Sequence, residues 1–236
     1  MSGIYSRRLA WSEPDVPVNE KLRSKVIEEY AFDTPPKDNL SCFVQSLASS
    51  FATITRCQIV CLSIVKDDKQ FFYARRGLDA PETSRSVSFC AHAINKPQEP
   101  LIVLNALKDS RFAANPLVLG EPNIKFYYGV PLVNMEGVVL GALCINDKPS
   151  QLRPEQEAAF NLMAKMCVCQ LELVRIFRLA KFDDDCNRNK RAKTMKHIRT
   201  TIEATYHYCR RQIRYCVYTW RAQAPYTMIS RRCCGK

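Results

Sequence analysis

The side chains best equipped for chemistry are the thiols, twelve in a chain of 236 residues, and the most suggestive one stands in SFCAHAI, where Cys90 precedes His92 by two positions. A thiol near an imidazole is the raw material of a nucleophile, a redox centre or a metal site. The run is short and apolar enough for one buried helix, and helix positions two apart point to different sides. The spacing therefore favours a buried thiol and a hydrogen-bonded imidazole over a task the two share. Zinc spacing is poor elsewhere: Cys57 with Cys61 and Cys167 with Cys169 lack nearby histidines, and Cys186, His197, His207 and Cys209 are irregular. No Gly-rich phosphate loop, HExxH or GxSxG elbow occurs, and seven glycines leave little for a backbone cradle.

A second set of residues could line a pocket. Asp109, Arg111, Asn115 and Asp147 supply a few polar groups, and Phe112, Phe126 and Tyr128 supply an apolar wall, the mixture a small-molecule site uses. The same residues have structural uses. Asp109 can cap the turn at Ser110 and Arg111, Asn115 before Pro116 can make an Asx-turn, and Arg111 can pair with Asp147.

Positioning these groups requires a sheet. Leu22, Val26 and Tyr30 share one stripe of a first helix, and Asp38 can cap a second whose apolar face is Leu40, Phe43, Val44, Leu47, Phe51 and Ile54. QIVCLSIV and QFFYAR, joined by KDDK and ended by Gly77, predict an antiparallel hairpin. PLIVLN reads as a strand and DSRFAANPLV as a structured loop. IKFYYGVPLV, the NMEG turn and VVLGALCIND form a second hairpin. Pro154 opens a long closing helix with Phe160, Met163, Ala164, Cys167, Leu171, Val174 and Phe177 facing inward. This order predicts an α+β fold, an antiparallel sheet flanked by helices, not a doubly wound parallel one.

The blocks SFCAHAI, PLIVLNALKDSRFAANPLV, IKFYYGVPLV and LGALCINDKPSQL, in that order, resemble the GAF domain family, in its sensory subgroup from bacterial-type signalling proteins. The resemblance covers residues 22 to 178 and implies a central antiparallel sheet with a ligand pocket between the sheet and its overlying loops. On it, Cys90, His92, Asp109, Arg111, Phe112, Asn115, Phe126, Tyr128 and Asp147 are the candidate binding residues, for a small molecule whose identity is unknown. The cyclic-nucleotide signature is incomplete, since Asn95-Lys96 and Phe112 are followed by Ala113, Ala114, Asn115 and Pro116 with no Asp-Glu pair. Bilin attachment is not expected, because Ala91 separates Cys90 from His92. The enzymatic branch, the free methionine-R-sulfoxide reductases, is the alternative reading. Cys90 is similar to one of its cysteines, but the segment Lys125-Phe126-Tyr127-Tyr128-Gly129 carries no thiol where the catalytic one would stand.

A composition of 47% hydrophobic and 25% charged residues excludes collagen-like, low-complexity and wholly disordered classes. Net charge is +12, and residues 181 to 236 hold 14 Lys/Arg against 4 Asp/Glu, so the first 180 residues are near neutral. The expected organisation is an N-terminal arm (1–21), the GAF domain (22–178) and a basic, cysteine-containing helical tail (179–236). No apolar run approaches the ~18 residues of a spanning helix. The opening MSGIYSRRLAWSEPD lacks a signal-peptide core, which predicts a cytoplasmic protein with mostly reduced thiols.

In the tail, Met195, Ile198, Ile202, Thr205, Cys209, Ile213, Cys216 and Trp220 make a continuous helical seam. It predicts a homodimer through the terminal helices. Its basic face and Arg231-Arg232-Cys233-Cys234 make membrane-surface contact a competing use. The same Lys/Arg stripe could meet phosphates, but with no recognisable module nucleic acid is not the expected partner. The expectation is a stand-alone sensor or adaptor without an output enzyme domain, with no cofactor identified; a thiol-dependent redox enzyme is the alternative.

Overall fold

The β-branched run IVCLSIVK forms β1 (Ile59–Lys66) and returns as β2 (Lys69–Arg76), an antiparallel hairpin as expected. The computed structural model describes residues 11–30, 32, 45, 46, 48–53, 57–147, 151–184, 200, 203 and 207. Gly77, at φ +74°, ends β2 where an added Cβ would lie 2.0 Å from the Gln58 carbonyl oxygen, so only glycine passes there. Three further strands extend the sheet: β4 (Leu101–Val103), β5 (Phe126–Val133) and β6 (Val139–Asp147). An edge strand that hydrophobic patterning did not reveal, β3 (Glu82–Ser84), pairs with β2. The spatial order is β3-β2-β1-β6-β5-β4, and every pairing is antiparallel. In the β5–β6 turn, Asn134 Oδ1 accepts the N–H groups of Glu136 at 3.0 Å and Val138 at 2.7 Å.

Four helices are fully delimited: α1 (Glu20–Glu28), α2 (Phe89–Ala93), α3 (Pro116–Leu119) and α4 (Pro154–Asp184). Thus part of the expected loop at DSRFAANPLV is a short helix begun by Pro116. The sheet separates two apolar layers. On one face Val26 and Ile27 of α1, Phe51 and the inward stripe of α4 pack with Leu62, Ile64, Phe126 and Tyr128. On the other, α2, α3 and their connecting segments close over Cys61, Tyr127 and Cys144. Of the expected α4 stripe, Phe160, Met163, Ala164, Cys167 and Leu171 are buried, Val174 is half-buried, and the Phe177 side chain lies outside the described residues. So do Leu40, Phe43, Val44, Leu47 and Ile54 of the second helix and the whole seam of the tail.

The first helix departs from its expected stripe. Val26 and Tyr30 are buried, but Leu22 is 54% exposed and Arg23, fully buried, takes the inward place. A buried guanidinium requires a partner, and Glu20 supplies it: its carboxylate accepts Arg23 Nε and Nη2 at 2.7 Å each and Arg85 Nη1 at 2.6 Å. Burial raises the Glu20 pKa, but the hydrogen bonds and charges of Arg23 and Arg85 outweigh it and bring the group from 4.5 to about 2. A depressed folded pKa contributes stability that is complete above about 4.5 and is lost as pH falls toward about 2. The difference in thermal midpoint between the native chain and Glu20→Gln, followed by circular dichroism, is expected to be full at about pH 6 and to close toward pH 2. A difference that stays constant across that range would contradict this pairing.

Candidate functional site

Ser88 caps α2, its hydroxyl accepting the Ala91 N–H at 3.0 Å, and this start directs Cys90 down onto the sheet. His92, two positions on, points outward. The Cys90 sulfur lies 3.6 Å from Cys144 Sγ on β6. It also accepts the Tyr127 hydroxyl at 3.2 Å and the Gln70 amide at 3.5 Å. Gln70 is held in turn by the Ser88 hydroxyl. Cys61 on β1 stands opposite Cys144 in register, and Cys61, Cys90 and Cys144 are free thiols, whereas Cys169 is disulfide-bonded.

Burial works against charge on Cys90, but hydrogen bonds from Cys144, Ser63, Tyr127 and Gln70 together bring its thiol below its ordinary pKa. Cys144 is pushed well up, first by its hydrogen bonds with Cys61 and Cys90 and then by burial. Burial also raises Tyr127, so its hydroxyl remains a neutral donor. Room for that ring comes from Gly129, where an added Cβ would fall 2.2 Å from the Tyr127 hydroxyl.

Above these sulfurs lies a small recess of about 30 Å3. Phe72, Phe89, Leu117 and Ile124 wall it, and Cys90, Tyr127 and Cys144 line it below. Among the described residues, no charged side chain lines it. Thr83 and Asn146 are among its lining residues, and their Oγ1 and Oδ1 atoms are both buried without a hydrogen-bond partner. A buried polar atom left unpaired costs about 1–3 kcal/mol. These two atoms are where a bound molecule's polar groups would recover that cost.

The other expected residues divide into two groups. Asp109 accepts Arg111 Nε at 3.0 Å and Nη2 at 2.7 Å, and the Arg111 guanidinium sits 5.0 Å from the Phe112 ring centre. Arg111 thus pairs with Asp109; the side chain of Asp147, its other expected partner, lies outside the described residues. Hydrogen bonds from Arg111 hold the Asp109 carboxyl below its usual range. His92 Nε2 lies 3.0 Å from the Ser12 carbonyl oxygen, and its ring meets Phe112 edge-on. Burial lowers the His92 pKa; the Ser12 carbonyl opposes that and the nearby Arg111 charge adds to it. Asn115 makes the Asx-turn, accepting the Leu117 N–H at 2.9 Å and donating to the Val87 carbonyl at 3.0 Å. His92 and Arg111 border a separate polar cleft with Asp15 and Lys96. Among the described side chains of the expected set, only that of Cys90 lines the recess.

Phe126 and Tyr128 face away from it. Adjacent strand residues alternate sides, and these two enter the layer under α4, where Tyr128 meets the Phe160 ring at 5.8 Å and accepts from Asn161 Nδ2 at 3.4 Å. Tyr127 takes the wall position assigned to them. Gln70, Thr83, Tyr127 and Asn146 were absent from the expected set, and strand parity in KFYYG was the one signal that could have found Tyr127. Among the described residues, no three His, Cys, Asp or Glu side chains are placed to hold a metal ion, and no helix is long and apolar enough to cross a membrane.

An antiparallel sheet with α1 and the long α4 on one face and a recess under short helices on the other defines an α+β domain. The chain belongs to the GAF domain family, which matches residues 39–171. It is 32% identical over 164 residues to a cyclic di-GMP phosphodiesterase of Pseudomonas aeruginosa, a match covering 69% of this chain and 27% of that protein. The chain thus corresponds to about a quarter of that curated relative's length. Among solved structures, the GAF domain of a phosphoenolpyruvate-protein phosphotransferase from Coxiella burnetii aligns with a TM-score of 0.51 at 18% identity, covering 66% of this chain and 96% of that one. A free methionine-R-sulfoxide reductase from Neisseria meningitidis aligns with a TM-score of 0.48 at 16% identity, covering 70% and 97%.

Proposed function

We propose that this chain senses a small uncharged molecule in the recess above Cys90 and relays its occupancy through the helices, acting as a signalling sensor or adaptor. The observation that carries this reading is the pair of unpartnered buried atoms, Thr83 Oγ1 and Asn146 Oδ1, among aromatic and aliphatic walls. Asn146 Oδ1 can only accept, so the molecule presents a hydrogen-bond donor to it. A phosphate or carboxylate would enter a space with no cation to meet it and would lose its hydration without compensation. The likeness to a cyclic di-GMP phosphodiesterase supports a signalling setting, while the activity in that name is not carried over. The proposal keeps an arm at 1–21, the domain at 22–178 and a basic tail at 179–236, with self-association through the terminal helices, a cytoplasmic location and the membrane surface as a second contact for the tail.

The alternative, a thiol-dependent redox enzyme resembling the methionine sulfoxide reductases, is favoured by the 3.6 Å approach of Cys90 and Cys144. Against it, the segment expected to carry the catalytic thiol, residues 125 to 129, has none and offers the Tyr127 hydroxyl to the same sulfur. No turnover of free methionine-R-sulfoxide by the native chain would remove it.

The test of the sensor reading is to denature the purified protein and examine what it releases by mass spectrometry and absorbance. A stoichiometric small molecule is expected, reduced at least about tenfold in Asn146→Leu, since a lost buried hydrogen bond is worth about 1.4 kcal/mol or more. Native protein that releases nothing, and whose melting temperature no metabolite extract raises, would overturn the reading.

A further inference from the structure

We propose that Cys90 and Cys144 form a peroxide-reactive dithiol pair, a modification site that closes to an intramolecular disulfide. This rests on the sulfur geometry and does not depend on the identity of any ligand of the recess.

Four observations meet at this pair. The sulfurs are 3.6 Å apart and both thiols are free. They sit on different elements, helix α2 and strand β6, which must approach for the sulfurs to reach the ~2.05 Å of an S–S bond. Both line the recess and are buried, so that a peroxide as small as hydrogen peroxide would reach them through it. Finally, their surroundings differ. Tyr127 and Gln70 donate to Cys90 Sγ, the environment of an attacking sulfur, whereas Cys144 stands in an apolar strand run and retains its proton.

The chemistry takes two steps. The Cys90 thiol attacks one oxygen of a hydroperoxide, the O–O bond breaks, and the thiol proton leaves with the departing oxygen as water or an alcohol. Cys90 is then a sulfenic acid. Cys144 sulfur attacks that sulfur, its S–H bond and the S–O bond break, and hydroxyl and proton leave as water. Two electrons have passed from the dithiol to the peroxide. An external dithiol returns the pair to its reduced form by exchange. Cys61 is the competitor, since it faces Cys144 across the β1–β6 pairing.

The test uses the full chain, treated with hydrogen peroxide, alkylated and mapped by mass spectrometry without reduction. The expected product is a disulfide joining the Cys90 and Cys144 peptides, formed ahead of oxidation at other thiols and removed by dithiothreitol. In Cys144→Ser, a dione probe for sulfenic acids is expected to label Cys90. Recovery of Cys90 as a free thiol while other cysteines oxidise, or a disulfide joining Cys144 to Cys61, would overturn the proposal. The map of the unsubstituted protein decides this even if the variant fails to fold.

Discussion

Gly141→Ala is expected to remove most of the protein's stability. Gly141 lies in β6, the strand between β1 and β5, opposite Ile64 on one side and Leu132 on the other. A Cβ there would stand 1.9 Å from the Ser63 carbonyl oxygen and 2.8 Å from Ile64 Cα. Both are backbone atoms of β1, so no change of rotamer relieves the overlap, and the β1–β6 pairing must open. Losses above about 4 kcal/mol arise from few mechanisms, of which central steric conflict is one, and such a loss is a large part of the 5–15 kcal/mol that typical domains possess. Urea unfolding measures it directly. Gly137→Ala is the control: no atom lies within 4 Å of its added Cβ, and the positive φ of +79° alone should cost about 1 kcal/mol. Comparable losses at the two positions would show that crowding does not govern Gly141.

Glu172→Ala is the second substitution expected to act strongly, by about 1–3 kcal/mol, the range found when a buried donor is left without its acceptor. The Glu172 carboxylate, 2% exposed, accepts the Tyr30 hydroxyl at 2.6 Å and lies 3.7 Å from Arg175 Nη1. Tyr30 also accepts from Asn134 Nδ2 at 3.3 Å, and Arg175 Nη2 reaches Glu136 at 2.7 Å. Burial and the Glu172 charge push the Tyr30 pKa far up, which keeps its proton in place as the donor. Truncation leaves that proton with no acceptor, while Arg175 keeps Glu29 and Glu136. Glu172→Gln retains an acceptor oxygen and should lose less than half as much. Equal unfolding free energies for the two variants would mean that packing, not this hydrogen bond, is what the residue supplies.

Both hairpins were legible in the sequence because each joins β-branched or aromatic runs through residues suited to a tight turn. The Asx-turn at Asn115 was legible for the same local reason. What failed needed information from distant parts of the chain. Arg23 reads as a solvent-facing residue until Glu20 and Arg85 are seen to enclose it. The three residues of β3 are too few to carry a period, and only pairing with β2 makes them a strand. In Phe126-Tyr127-Tyr128 both faces of the strand are buried, so no polar alternation marks which ring meets the recess. Thr83 and Asn146 approach one space only through the folded sheet, and no local spacing announces that. Cys90 was found because its helix, its cap and its apolar flanks are all local.

The alternation along β5 has a mechanical consequence. Tyr127 reaches the Cys90 sulfur on one side of the sheet, and Tyr128 touches Phe160 and Asn161 of the long helix on the other. Between the recess and α4 there is therefore a single peptide group. That group is planar and stiff, so it behaves as a short lever through the sheet: a shift at Tyr127 that the ring's own torsions do not absorb is carried to the dihedrals flanking the bond, and from there to the ring against which the long helix rests.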